Sequence, residues 1–128
     1  MLKRTLQAIL PAVVLAGCTV APPRGQPGTF RLIQQGQIAP ARALAFSACV
    51  MDGFDRAHLT LTSVHTRQQR RANGYRIETM VNATALVSVD ISDDGRVEML
   101  ESTAALMIDT SDERRAFTEC VGNEKATQ

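Results

Sequence analysis

Ala85-Leu86-Val87-Ser88-Val89-Asp90-Ile91, then Ser92-Asp93-Asp94-Gly95, then Arg96-Val97-Glu98-Met99, is the stretch that decides the fold. Ala85, Val87, Val89 and Ile91 alternate with Leu86, Ser88 and Asp90, and a period of two marks a strand with one buried face. Ser-Asp-Asp-Gly supplies side chains that bond their own backbone and a glycine that takes positive φ. That is the chemistry of a type I turn closed by a bulge. Val97 and Met99 carry the apolar face onto a return strand opposite Ile91 and Val89, while Arg96 and Glu98 face out.

Working upstream, Asn82-Ala83 reads as a turn, and Tyr75 to Val81 alternates with Tyr75, Ile77, Thr79 and Val81 on one side. Asn73-Gly74 before it is a strong hairpin signal, because a type I′ turn needs positive φ at both central residues. Leu59 to Val64 has β-branched content and partial alternation, which predicts a strand. The polar run Thr66 to Arg71 between them predicts a basic hairpin tip projecting beyond the sheet.

Helices flank these strands. Pro40 suits a first helical position, where its missing N–H is not needed. Phe46, Val50 and Phe54 recur every four residues and line one face of a helix over Ala41–Phe54, with Cys49 beside that face. Thr110-Ser111-Asp112-Glu113 has the spacing of a capping box. It opens a second helix with Phe117, Cys120 and Val121 on one face, which Gly122 is placed to stop. Ala104 to Ile108 fits either an edge strand or a helical turn. The expectation is an α+β domain over residues 40–122: two helices on one face of a sheet of three or four antiparallel strands, in the order α-β-β-β-β-α. Residues 123–128 read as a frayed tail.

The start of the chain has a different character. Lys3 and Arg4 precede the apolar run Leu6–Leu15, which is half a bilayer long and so reads as a signal segment rather than a span. Leu15-Ala16-Gly17-Cys18 follows, and it resembles the lipobox of bacterial lipoproteins. The resemblance implies cleavage before Cys18, lipidation of the Cys18 thiol, and a protein tethered to a membrane without crossing it. Acyl chains hold through buried CH₂ groups, about 0.8 kcal/mol each, so two or more chains anchor stably. Thr19 next to the lipidated cysteine, by the same resemblance, favours the outer membrane. The alternative is an ordinary secretory leader with an incidental cysteine. Residues 1–17 are thus the expected signal peptide and 18–39 the lipidated cysteine and a flexible tether. Three prolines and two glycines within Thr19–Gly28 exclude helix or central strand there. In Thr29–Ile38, Phe30, Leu32 and Ile33 fit a short strand or a segment packed against the domain, and the stretch, with its Gln-Gly, resembles the opening of the small outer-membrane assembly lipoproteins of the BamE/SmpA type over about a dozen residues. The Gly-Met turn and Leu-Gly-x-Pro motif of that family do not follow, so no function is carried across.

With Cys18 assigned to lipid, Cys49 and Cys120 remain as a pair. An even count in an exported chain reads as a disulfide. The mature chain of 111 residues carries 12 basic and 13 acidic side chains once Lys3 and Arg4 leave with the leader. That balance argues against a general nucleic-acid binder. Four Phe, one Tyr and no Trp leave little for stacking bases or sugars.

The basic residues Arg67, Arg70, Arg71 and Arg76 are the candidate partner-binding set, since arginine forks suit carboxylates and phosphates. Against that stands a solvated hairpin whose charges keep a strand edge from aggregating. His58 and His65 are the only histidines, and strand alternation would set residues seven apart on opposite faces, so no metal site and no cofactor beyond the lipid is expected. Ser63, His65 and Asp90 are the only grouping that could serve hydrolysis, with no nucleophile elbow. Asp93-Asp94-Gly95 lacks the spaced carboxylates of a calcium loop. The expectation is therefore a lipid-anchored periplasmic accessory protein of the cell envelope. It is expected to bind a protein partner at a sheet edge or the basic hairpin, with no catalysis, nucleic acid or small-molecule substrate. The alternatives are an inhibitor or sensor of an envelope-acting enzyme and, further off, a hydrolase.

Overall fold

The computed structural model describes residues 29–59 and 63–127. Among them, five strands form one antiparallel sheet: β1 (Phe30–Gln37), β2 (Val64–Arg71), β3 (Gly74–Val81), β4 (Thr84–Ser92) and β5 (Arg96–Ser102), in the spatial order β1-β5-β4-β3-β2. Helices α1 (Ala43–Ala57) and α2 (Ser111–Ala126) pack on each other; α1 lies over β2, β3 and β4, and α2 over β1. The class is α+β. The leader, Cys18 and the Pro/Gly-rich stretch lie outside the described residues.

The β4–β5 hairpin forms as its sequence dictates. Val89 lies opposite Met99 and Ile91 opposite Val97. All four are buried, and they join Ile77, Val87, Phe46, Val50, Phe54 and Phe117 in one core. The Phe46 and Phe117 rings meet edge to face at 5.9 Å, the geometry their quadrupoles favour. Gly95 has φ +87°, and a Cβ there would lie 2.1 Å from the Ile38 carbonyl oxygen. The turn therefore needs glycine twice over, for its dihedral and for the close approach of Ile38, whose N–H donates to the Gly95 carbonyl.

The expected order and strand number need correction. The observed order is β-α-β-β-β-β-α, with five strands rather than three or four. The added strand is β1, in residues assigned to the tether. Phe30, Leu32 and Ile33 fit a short strand, but a bulge between Leu32 and Gln34 breaks the period of two and the pairing partner β5 lies some 65 positions away, so the local pattern left strand and packed segment both open.

The second correction concerns the basic run. β2 is that run itself, paired residue for residue with β3 from Val64–Val81 to Arg71–Gly74. There is no projecting tip: the turn is Ala72-Asn73, and positive φ falls at Gly74 rather than Asn73. The strand expected over Leu59–Val64 reaches into residues 60–62, outside the described ones. The Asn82-Ala83 turn forms as expected, with Asn82 at φ 54°.

The helix ends differ too. Pro40–Arg42 is a 3₁₀ turn leading into α1, and Thr103–Met107 is another, which resolves the ambiguity there. The capping box does not form. Thr110 makes no side-chain cap; its hydroxyl donates to Glu101 at 2.9 Å, and Asp109 accepts the Ser111 N–H instead. Nor does α2 stop at Gly122. It continues to Ala126, and the Glu124 carboxylate, buried in that last turn, takes a two-pronged hydrogen bond from Arg42 at 3.0 and 3.1 Å.

Candidate functional site

The arginines expected to bind a partner are all on β2 or β3, and the sheet register sorts them. Arg67 lies opposite Glu78 and donates to it at 2.6 Å; Arg76 lies opposite Asp90 and grips it with two hydrogen bonds at 2.8 and 3.2 Å. These two are committed to cross-strand carboxylates on the sheet face away from the helices. Arg70 points to the helix side, with its guanidinium 4.6 Å from the Tyr75 ring centroid. Arg71 ends the strand and is exposed. The four therefore form no single patch. Arg70 and Arg71 carry charge beyond what their cross-strand neighbours balance, and both stand on an edge strand. Among the described residues, no strand pairs with the outer side of β2.

The hydrolytic grouping is not brought together. Asp90 is level with Arg76 and Gln69, whereas His65 is four residues further along β2 and two strands away. At about 3.3 Å per residue and 4.8 Å per strand, the separation is roughly 16 Å. Asp90 is also occupied by Arg76. Among the described residues, no three His, Cys, Asp or Glu side chains group as a metal site, and no helix is long and apolar enough to cross a membrane.

Cys49 and Cys120 are joined in a disulfide, with Cα atoms 5.9 Å apart, linking α1 to α2. The pairing follows from two helices whose apolar faces meet. Gly53 allows that approach, because a Cβ there would lie 2.5 Å from the Ala116 Cβ.

Beside Glu78 and Glu124, two more buried carboxylates, Glu113 and Glu101, were not foreseen. His58, just past the end of α1, hydrogen-bonds through Nε2 to Oε1 of Glu113 in the first turn of α2. The Glu113 side chain is fully buried, and its Oε2 has no partner among the described residues. Glu101, on the helix-facing side of β5, accepts from Thr110 and from Arg114 at 2.9 Å each, and so ties the sheet to the start of α2. Its parity with Val97 and Met99 was the available signal: a carboxylate two residues beyond two inward-facing apolar side chains faces inward as well. Glu113 carried no such signal, since its role depends on where α1 ends.

Two surface grooves accompany these sites. One, of about 360 Å³, runs between β1 and α2 and is lined by Gln34, Gln35, Phe117, Val121 and Lys125. The other, of about 310 Å³, lies over the α1–α2 seam among charged side chains including Arg56, Asp112 and Glu119. Neither gathers groups with a catalytic geometry. Comparison of the chain with protein-family models, curated proteins and solved structures finds no match.

Proposed function

We propose that this chain is an accessory lipoprotein of the bacterial cell envelope, anchored through a lipid on Cys18 at the periplasmic face of the outer membrane. It acts by binding a protein partner rather than by catalysis. The observation that carries the binding half is the β2 edge. Among the described residues no strand covers its outer backbone groups, and Arg70 and Arg71 stand on it as exposed cations. A segment added there gains main-chain hydrogen bonds along its length and forked contacts for its carboxylates, so an acidic extended segment is the fitting partner. The anchoring half rests on the Leu15-Ala16-Gly17-Cys18 resemblance. The disulfide is consistent with an exported chain, because such bonds persist in oxidising compartments.

Affinity capture from detergent-solubilised envelopes tests the reading. The tagged mature protein should recover an envelope protein that the Arg70→Ser/Arg71→Ser variant recovers at least tenfold less. Recovery of no partner, or equal recovery by both, overturns it. Arg67 and Arg76 are left intact in the variant because their cross-strand pairs belong to the sheet. Mass spectrometry of the mature N-terminus decides the lipid separately.

A further inference from the structure

Large apolar side chains left in water are concentrated at one end of this molecule. Among the described residues they are Leu32, Leu44, Leu59, Leu106 and Met107, exposed by 48, 63, 77, 79 and 90%. β1 begins at Phe30 opposite Ser102, the last residue of β5. β4 begins at Thr84 opposite Val81, the last residue of β3, and β2 begins at Val64 opposite the same Val81. These five positions define one end of the sheet. The 3₁₀ turn that bears Leu106 and Met107 follows directly from Ser102 at this end. The end of α1, followed by Leu59, comes to the same place, because His58 is bonded to the first turn of α2 and Thr110 before that turn is bonded to Glu101 near the end of β5. Leu44, in the first turn of α1, lies at the far end.

The chain also enters the domain here. The Thr29 carbonyl accepts the Thr103 N–H at 3.2 Å, so the segment arriving from Cys18 joins the domain one hydrogen bond from the turn that carries Leu106 and Met107. The ten residues Thr19–Gly28 span at most about 35 Å. A lipid on Cys18 therefore keeps Thr29 within about 35 Å of the bilayer, and presents this end to it at a higher effective concentration than the Gly74 and Gly95 end.

We infer that Leu106, Met107 and Leu59 form the contact of the domain with the lipid surface, so that the sheet stands with its Thr29 end on the membrane. The inference rests on the proposed lipidation of Cys18. Side chains protruding singly from a turn and a helix end suit a bilayer interface, which rewards buried apolar area without demanding a complementary shape. Three such residues bind weakly alone, so the contact depends on the tether.

The test uses the purified, mature, lipidated chain in phosphatidylethanolamine–phosphatidylglycerol vesicles. With Cys18 acylated and Cys49–Cys120 bridged, Met107→Cys adds a single free thiol for an environment-sensitive NBD label. Leu106→Cys serves as a second site, and Asp93→Cys, exposed at the opposite end, as the reference. The labels at 106 and 107 should shift to the blue and be quenched by doxyl lipids at least twofold more than the label at 93. Protein that floats with the vesicles while all three labels report water overturns the contact and leaves the anchor standing. A blue shift without doxyl quenching also overturns it, because the side chain is then covered by protein. Protein that does not float overturns the anchor and the contact together.

Discussion

A methyl group at Gly53 would lie 2.5 Å from the Ala116 Cβ, an atom held by the backbone of α2. Helix propensity alone favours Gly53→Ala by up to about 1 kcal/mol, but separating two packed helices costs about 1–3 kcal/mol. The variant should therefore lower the urea midpoint. Gly122 is the opposite case, mid-helix with open space around its would-be Cβ. Gly122→Ala should raise stability by about 0.5–1 kcal/mol in the same measurement. Glu113→Ala removes one member of a buried hydrogen-bonded pair and leaves His58 without it. A loss of about 2–4 kcal/mol is expected by thermal or chemical denaturation. Gly53 and Gly122 are alike in sequence, each a glycine late in a helical pattern. Their opposite expected signs come from whether a neighbouring helix lies against them, which no local window contains.

At the scale of elements, the start of α2 is where local chemistry and tertiary chemistry compete. Thr110 and Glu113 have the spacing to cap each other, yet Thr110 goes to Glu101 and Glu113 to His58. The inward-facing Glu101 and the end of α1 need partners, and buried polar groups left unpaired cost more than an exposed cap contributes. Asp109 takes over the capping. The Ser111 backbone N–H, and after it the Ser111 hydroxyl, hold the Asp109 carboxyl below the usual carboxylate range. The unfolded chain then takes up a proton at higher pH than the native chain does. Asp109 thus contributes stability above the ordinary carboxylate range, and the contribution is lost as pH falls through it to the lowered native value. Asp109→Ala should show a smaller stability gap to wild type at acid pH than at neutral pH, measured by denaturation midpoints across a pH series. The strands show the same division. From Val87 to Ile91 and along β5 the residues alternate and pair through a local turn, so that hairpin is legible, although Leu86, where the β3–β4 register shifts, is buried as well; β1 is bulged and β2 is polar. Both of these are edge strands, with only one neighbour to impose a pattern.

For the molecule as a whole, the 71-position Cys49–Cys120 link spans α1, four strands and α2. Loop-closure entropy for that length is worth about 4 kcal/mol on the chain-entropy model, a large share of what so small a domain retains. Cys49→Ser/Cys120→Ser should lower the unfolding free energy by about that amount, and reductant should do the same to the wild type and nothing further to the variant. The whole-molecule view also separates the expected binding residues. Of the four arginines, Arg67 and Arg76 answer carboxylates on the neighbouring strand, and only the sheet register reveals that. Their sequence neighbourhood shows a basic cluster; the fold divides it between two faces.

Short-range periodicity and covalent preference were enough to specify the inward faces of α1, β3, β4 and β5, the glycine at 95, and an even pair of cysteines to be joined. The inward faces and the glycine depend on residues within a turn or two, and the cysteine pair was expected from the even count left once Cys18 is set aside for lipid. The pairing of β1 with β5, the polar β2 edge, the His58–Glu113 and Glu101–Arg114 contacts, and the placing of Leu59, Leu106 and Met107 at the Thr29 end of the sheet were decided by tertiary structure alone. Those features arise where segments far apart in the chain meet, and a hydrogen bond or apolar contact across that distance leaves no period in the sequence on either side.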